Sequence, residues 1–371
     1  MRIVSVVGTR PQVIKAAALQ PLLRARHEEV FVDTGQHYDD ALAGDFVGEL
    51  GLIPPDHVLG IGGGSQAEQT GRMLPAVEAL LVDAAPDAVL VYGDTNSTLA
   101  GALAAAKLGI PVAHVEAGLR SFDRAMPEEI NRVVADHLST WLFVPTPTAV
   151  ANLAAEGIRE GVVLVGDVMQ DLAARISDEV RDPVVLGPIG DRLGVALAPG
   201  GYVLATIHRA DNRSPAAIAG WTALLGRVAR AERPVVLALH PGTRAALERS
   251  GHVLDDAVRV VEPQGYRTTL ALQLHAAAVL TDSGGVQRES AWLGVPCLVL
   301  RDRTEWVEAV ERSRGTMLVV GLDADRAVAE LERLAPLATA GPAATRRAAT
   351  VKVPRAGAGE AILATLEGRS R

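Results

Sequence analysis

Two acidic residues, two histidines and one glycine pair stand where the chain would expose them for chemistry. Asp94 closes the apolar run 89–93, and Glu116 closes the run 112–115. If both runs are strands in one parallel sheet, their ends lie ~4.8 Å apart and the two acids can converge on one ligand. Asp94 equally suits a helix cap, because Thr95-Asn96-Ser97-Thr98 follow it. Glu128 stands in Met126-Pro127-Glu128-Glu129-Ile130-Asn131-Arg132, where proline and acids together mark a helix start. Taken alone, it reads as a first-turn acid rather than a catalyst. His208 ends the run 203–207 and His240 ends the run 235–239, equivalent places at which each ring could donate to a phosphate. The sharpest local signal is Thr281-Asp282-Ser283-Gly284-Gly285-Val286-Gln287-Arg288-Glu289. A strand end, two glycines and a helix start leave backbone N–H groups and a positive dipole end for a diphosphate. Glu289, one turn on, is placed to accept from ribose hydroxyls. Near the N-terminus, Gly8-Thr9-Arg10-Pro11 followed by Lys15 brings two cations to a helix start, again a place for an anion. Gly8 reads there as the residue that permits a tight turn.

These residues need strands to end beside them. Short valine-rich runs recur at 3–7, 30–32, 88–92, 112–115 and 141–144, with alanine- and leucine-rich helical stretches such as 99–107 between them. The pattern pauses near residues 166–171 and restarts at 202–207, 235–239, 258–261, 279–280 and 297–300. Strands alternating with helices predict α/β domains with parallel sheets. The expected division is residues 1–167, 168–355 and a last helix within 356–371 that packs back on the N-terminal domain. Two Rossmann-like doubly wound domains place ligands beyond the carboxyl ends of their strands and make an interdomain cleft.

Composition narrows the class. The chain has 371 residues, enough for two full cores. It carries 36 Lys+Arg against 44 Asp+Glu, a formal charge of −8, which argues against a nucleic-acid polymer as partner. The one cysteine, Cys297, excludes an internal disulfide framework and a cysteine-rich zinc site. No His-x-x-His or His-Glu-x-x-His spacing suggests another metal, and neither a Gly-x-Gly-x-x-Gly fingerprint nor a Walker loop occurs at Gly8. No apolar run has the length of a membrane span or a signal sequence, so a cytoplasmic protein is expected.

Taken in order, Gly8-Thr9-Arg10-Pro11, Gly93-Asp94-Thr95, His114-Val115-Glu116-Ala117-Gly118-Leu119-Arg120, Pro127-Glu128-Glu129-Ile130-Asn131-Arg132 and Asp282-Ser283-Gly284-Gly285 resemble the non-hydrolysing UDP-N-acetylglucosamine 2-epimerases over nearly the whole chain. The resemblance implies a glycosyltransferase-B-like fold, a UDP-sugar in the interdomain cleft, no cofactor, no metal and a homodimer. It implies removal of the C2 proton, departure of UDP to leave 2-acetamidoglucal, and re-addition with protonation on the other face. By motif, Asp94, Glu116 and Glu128 are the acid–base carboxylates and His208 assists the leaving diphosphate. Arg10, Lys15, Arg132 and His240 become substrate contacts, and Gln264, Ser283, Gly284, Gly285 and Glu289 become UDP contacts.

Departures from the family pattern leave the sugar open. Thr269 stands where many members carry Phe, and Trp306, in Thr304-Glu305-Trp306, stands where many carry Arg. With Thr34-Gly35-Gln36-His37-Tyr38-Asp39 and Gly166-Asp167-Val168-Met169, these residues follow a subgroup of which some members act on UDP-2,3-diacetamido-glucuronate. Some bacterial members hold a second UDP-sugar as activator. Gln36 and Arg209 match that site and Asp39 does not, which predicts weak activation or none. The alternatives are a hydrolysing epimerase, a UDP-sugar-dependent glycosyltransferase and a catalytically idle binding protein.

Overall fold

Runs of valine, leucine and alanine form the central strands, which are buried on both faces, as parallel sheets covered by helices require. The computed structural model describes residues 1–36, 48–304, 306–334, 353 and 355–368. The chain divides into two compact units, Met1–Leu172 with Arg355–Arg371, and Ala173–Pro354. In the first unit the strands are β1 (Arg2–Val7), β2 (Glu28–Asp33), β3 (His57–Val58), β4 (Ala88–Tyr92), β5 (Val112–Val115), β6 (Trp141–Val144) and β7 (Val162–Leu164). They pair in parallel in the order β3-β2-β1-β4-β5-β6-β7. In the second unit β8 (Val203–Ile207), β9 (Val235–Leu239), β10 (Val258–Val261), β11 (Ala278–Thr281), β12 (Cys297–Val299) and β13 (Met317–Val319) pair in parallel as β10-β9-β8-β11-β12-β13. Both sheets are doubly wound, in agreement with the α/β expectation.

Each strand order reverses once, between β1 and β4 in the first sheet and between β8 and β11 in the second. Loops leaving two such strands diverge to opposite faces and open a crevice at the carboxyl ends, the place where ligands bind in open α/β sheets. The loops concerned are Gly8-Thr9-Arg10 and Gly93-Asp94 in one unit, and His208-Arg209 and Asp282-Ser283-Gly284 in the other. Topology alone thus selects four of the segments that carry the candidate chemistry.

Gly8 is required for a reason other than the expected turn. A Cβ there would lie 2.1 Å from both Ser97 Oγ and Thr34 Oγ1, so the glycine allows the two hydroxyls to close over β1. Gln12 then fixes this loop to the next strand. Its carbonyl oxygen accepts from the Gly8 N–H at 2.9 Å, and its amide donates to the Tyr92 carbonyl at 2.7 Å.

The C-terminal helix, Ala358–Gly368, completes the first core. Ile362, Leu363 and Leu366 are buried among Leu19, Leu23 and Phe31. The Asp171 carboxylate accepts from the Gly357 and Gly359 N–H groups at 2.9 and 3.3 Å, meeting the open donors at the helix start. Among the described residues no helix is long and apolar enough to cross a membrane. Leu363→Ala should lower the unfolding free energy by about 2–5 kcal/mol, read from urea denaturation, because it opens a cavity in a closed core.

Candidate active site

The first unit gathers its charged residues at the ends of β4 and β5. The Gly93 N–H donates to the Val115 carbonyl at 2.9 Å, so the two strand ends stay in register beyond the sheet. Gly93 has φ +62° and turns the chain into Asp94. At the end of β5, the Glu116 and Ala117 N–H groups both donate to the Phe143 carbonyl, at 3.0 and 3.1 Å. That doubled bond bends the chain and leaves Glu116 at φ 71°. A non-glycine residue in this left-handed region carries strain of ~1–3 kcal/mol, which persists only where surrounding contacts over-determine it. Lys15 is one such contact. Its Nζ lies 3.0 Å from Glu116 Oε2, with side chains 9% and 12% exposed respectively. The same ammonium would stand 3.0 Å from a Cβ placed on residue 93, so lysine, acid and Gly93 turn crowd one point.

The helix Pro127–Leu138 supplies the second cation. Arg132 forms ion pairs with Asp94 and with Glu129, the latter at 2.9 Å. Asn131 Nδ2 donates to the Asp94 carbonyl at 3.0 Å, which holds the backbone of that residue as well. Glu128 and Glu129 part company here. Glu129 is buried and accepts from the Ser121 and Phe122 N–H groups, each at 2.9 Å. Glu128 is exposed on the same first turn, and its carboxylate has no hydrogen bond or ion pair among the described residues. Arg10 opens the helix Arg10–Arg26, whose N-cap is Thr9. The structure therefore joins Lys15 to Glu116 and Arg132 to Asp94, and leaves Glu128 exposed outside those pairs.

The second unit gathers donors. His208 Nδ1 lies 2.8 Å from Asp282 Oδ1, and the backbone N–H groups of His208 and Arg209 donate to the same carboxylate. Asn212 Nδ2 adds a bond at 2.7 Å. Asp282 is fully buried and His208 is 47% exposed at its side chain, so the carboxylate orients a ring whose Nε2 has no partner among the described residues. Ser283 caps the helix Gly284–Trp292 through the Val286 N–H. A Cβ on Gly285 would meet nothing nearer than Ser283 Oγ at 3.8 Å, so packing does not demand glycine there. Open space above an N-terminal helical turn is what an anionic group needs. Gln287 is buried in the next turn, and its Nε2 has no hydrogen-bond partner among the described residues.

The remaining expected contacts are spread over the same unit. Glu289 is buried and accepts from Gln273 Nε2 at 2.7 Å. Gln264 follows β10, donating to the Glu262 carbonyl and accepting from Arg192. His240 is the exposed N-cap of the helix Pro241–Ser250, accepting from the Gly242 N–H at 3.1 Å. Gln36 accepts from the N–H and hydroxyl of Ser97 in the first unit, while His37, Tyr38, Asp39 and Glu305 lie outside the described residues. Trp306 stacks on Arg288, whose guanidinium carbon lies 4.1 Å from the ring centroid. Cys297 takes no part, since burial pushes its thiol up to about 12.

Sequence reasoning missed the groups that hold the site. Asp282, Asp136, Asn131, Gln12 and Gln273 were not assigned, because their partners are 16 to 86 residues away along the chain. The one signal available was their place inside the quoted motifs, as with Asp282 and Asn131.

Two doubly wound units, acids at one switch point and anion donors at the other define an enzyme of nucleotide sugars with a glycosyltransferase-B-like fold. The family model for UDP-N-acetylglucosamine 2-epimerase matches residues 22–354, and the chain belongs to that family. A Pseudomonas aeruginosa UDP-2,3-diacetamido-2,3-dideoxy-D-glucuronate 2-epimerase is 43% identical, over 88% of this chain and 90% of that one. The Methanocaldococcus jannaschii UDP-GlcNAc 2-epimerase, solved with UDP-GlcNAc and UDP, superposes with a TM-score of 0.82 at 35% identity, covering 99% of this chain and 100% of that one. The Neisseria meningitidis UDP-GlcNAc 2-epimerase bound to UDP-GlcNAc gives 0.84 at 29% identity, covering 100% of both chains.

The two buried aspartates make stability depend on acid. Burial alone would raise the Asp282 carboxyl, but bonds from His208, Asn212 and the Arg209 N–H outweigh it and hold the group below the usual range. Asp136 is likewise held low against burial, by His114 and Arg120. A carboxylate depressed by folding stabilises fully above its unfolded value of about 3.9, and that stability is lost as pH falls through the folded value. Denaturation midpoints should therefore fall steadily below about pH 4. Asp282→Asn should flatten the acid limb, and it should cost about 3 kcal/mol at neutral pH, because an amide N–H₂ then faces donors.

Proposed function

We propose that the chain is a non-hydrolysing UDP-N-acetylglucosamine 2-epimerase that interconverts UDP-GlcNAc and UDP-ManNAc. The carrying observation is the pair of acids at adjacent strand ends, Asp94 beside Arg132 and Glu116 beside Lys15. Proton removal from carbon requires a positioned base, and its return to the other face requires a positioned acid. One carboxylate takes the C2 proton. The C–H electron pair becomes the C1=C2 bond of 2-acetamidoglucal, and the C1–O bond breaks with its pair going to UDP. In the reverse step UDP oxygen re-forms the bond to C1, and a second carboxylate, Asp94, Glu116 or Glu128, delivers a proton to C2 from the opposite face.

The second unit takes the nucleotide in this reading. Charge developing on the leaving diphosphate is met by His208 and by the helix N-terminus at Ser283-Gly284-Gly285, with His240 as a further donor, while Arg10 in the first unit is a substrate contact. Glu289 and Gln264 serve the ribose and the base. Arg132 and Lys15 hold their acids and meet the substrate. We read the setting as a cytoplasmic homodimer that supplies activated sugar for polysaccharide synthesis.

A second substrate is favoured by one observation, the 43% identity to the Pseudomonas enzyme named for the diacetamido-glucuronate. Proton NMR in D₂O with each UDP-sugar separates the readings. Growth of the UDP-manno epimer with deuterium at C2, and no free sugar, is the expected outcome with UDP-GlcNAc. Exchange with the diacetamido-glucuronate alone would move the substrate, and free ManNAc plus UDP would move the protein to hydrolysis. Asp94→Asn and Glu116→Gln should each cut turnover ~100-fold or more, with the UDP dissociation constant nearly unchanged. Turnover near that of the unsubstituted protein would remove the residue from the mechanism.

A further inference from the structure

His114 is fully buried on β5, two residues before Glu116, and the reaction scheme does not use it. Nδ1 lies 2.7 Å from Asp136 Oδ1, and Nε2 lies 2.7 Å from the Gly93 carbonyl oxygen. Both partners accept. The carbonyl has no proton to give. Asp136 Oδ2 already accepts from the Gly118 N–H at 3.1 Å and from Arg120 at 2.6 Å. Neutral imidazole has a single N–H, so it would satisfy one partner and set lone pair against lone pair at the other. Protons on both ring nitrogens satisfy both. The charge of such a ring and of Arg120 is matched by Asp136 and by Glu156, which lies 2.6 Å from Arg120.

We propose that His114 is a positioning residue, a buried imidazolium that ties the Gly93-Asp94 turn to the Glu116-Ala117-Gly118 turn and so sets the two acids for proton transfer. The proposal rests on reading Asp94 and Glu116 as the acid–base pair. Its Nε2–H fixes the Gly93 carbonyl, one peptide before Asp94. Its Nδ1–H fixes Asp136, which holds Gly118 at φ +78° two residues beyond Glu116. Gly118 has no slack, since a Cβ there would lie 2.6 Å from the Ala149 carbonyl. Asp94 is also paired with Arg132, and Glu116 with Lys15, so those cations orient the carboxylates while His114 sets the backbone from which they extend.

The test uses two substitutions and one spectrum. In His114→Asn the amide replaces Nδ1 and loses the Gly93 bond; in His114→Gln it reaches the Nε2 position and keeps it. Displacing reacting groups by about 1 Å costs ~100-fold in rate, so kcat should fall about 100-fold in the Asn variant, with KM and the UDP dissociation constant within about threefold. The Gln variant should recover part of that loss. Nitrogen-15 NMR of the unsubstituted chain at neutral pH should show protons on both His114 ring nitrogens. A neutral tautomer there, or kcat within about threefold of the unsubstituted protein in both variants, overturns the proposal. If neither variant folds, the ring spectrum decides. Full activity in Asp94→Asn with the doubly protonated ring intact would instead overturn the acid–base reading beneath it.

Discussion

A fully buried carboxylate must be met by donors on every side, and each unit of this protein is arranged around one. Asp136 collects the His114 ring, the Gly118 N–H and Arg120. Asp282 collects the His208 ring, two consecutive backbone N–H groups and Asn212. Neither anion touches solvent, so neither tolerates a missing partner. The loops that supply the donors are the loops that carry the candidate chemistry. Shaping them is what these aspartates contribute, because a buried ion pair gives little net stability against an apolar replacement.

The doubly wound topology explains why each unit presents its own kind of charge at its strand ends. Each sheet reverses its strand order once, and each reversal opens one crevice at the strand ends. In the first unit the crevice lies beside acids balanced by Lys15 and Arg132, a setting for moving a proton. In the second it holds a helix start, the open position of Gly285 and a half-exposed histidine, a setting for stabilising an anion. The proposed elimination asks for both settings, and each unit carries one of them. The strained Glu116 belongs to the same pattern. Its left-handed backbone is held by two bonds to Phe143 and one to Lys15, and it departs from regular strand geometry where chemistry is proposed.

Much of this was legible in the sequence because the signals are local. Valine-rich runs gave β1, β4, β5, β6, β8 and β9, and the Ser283-Gly284-Gly285 step announced its helix within a few residues. The edge strands β3, β7 and β13 escaped, since two or three residues hold too little pattern to stand out from a loop. In the sequence Gly8 reads as a turn residue, whereas its neighbours Ser97 and Thr34, distant along the chain, are what exclude a side chain. Glu128 and Glu129 are equal in the sequence. Only the packing of the helix Pro127–Leu138 buries one as a loop anchor and exposes the other. The supporting shell, from Gln12 to Gln273, is made of long-range pairs, which motif spacing does not encode.

The central claim is that the C1–O bond to UDP breaks and re-forms while C2 inverts. A UDP-sugar with oxygen-18 in the bridge between C1 and the β-phosphorus reports it directly. Phosphorus NMR should show the label spreading to the non-bridging β-phosphate oxygens alongside deuterium entry at C2. Inversion at C2 with the label retained in the bridge would mean that UDP never leaves, and would contradict the account.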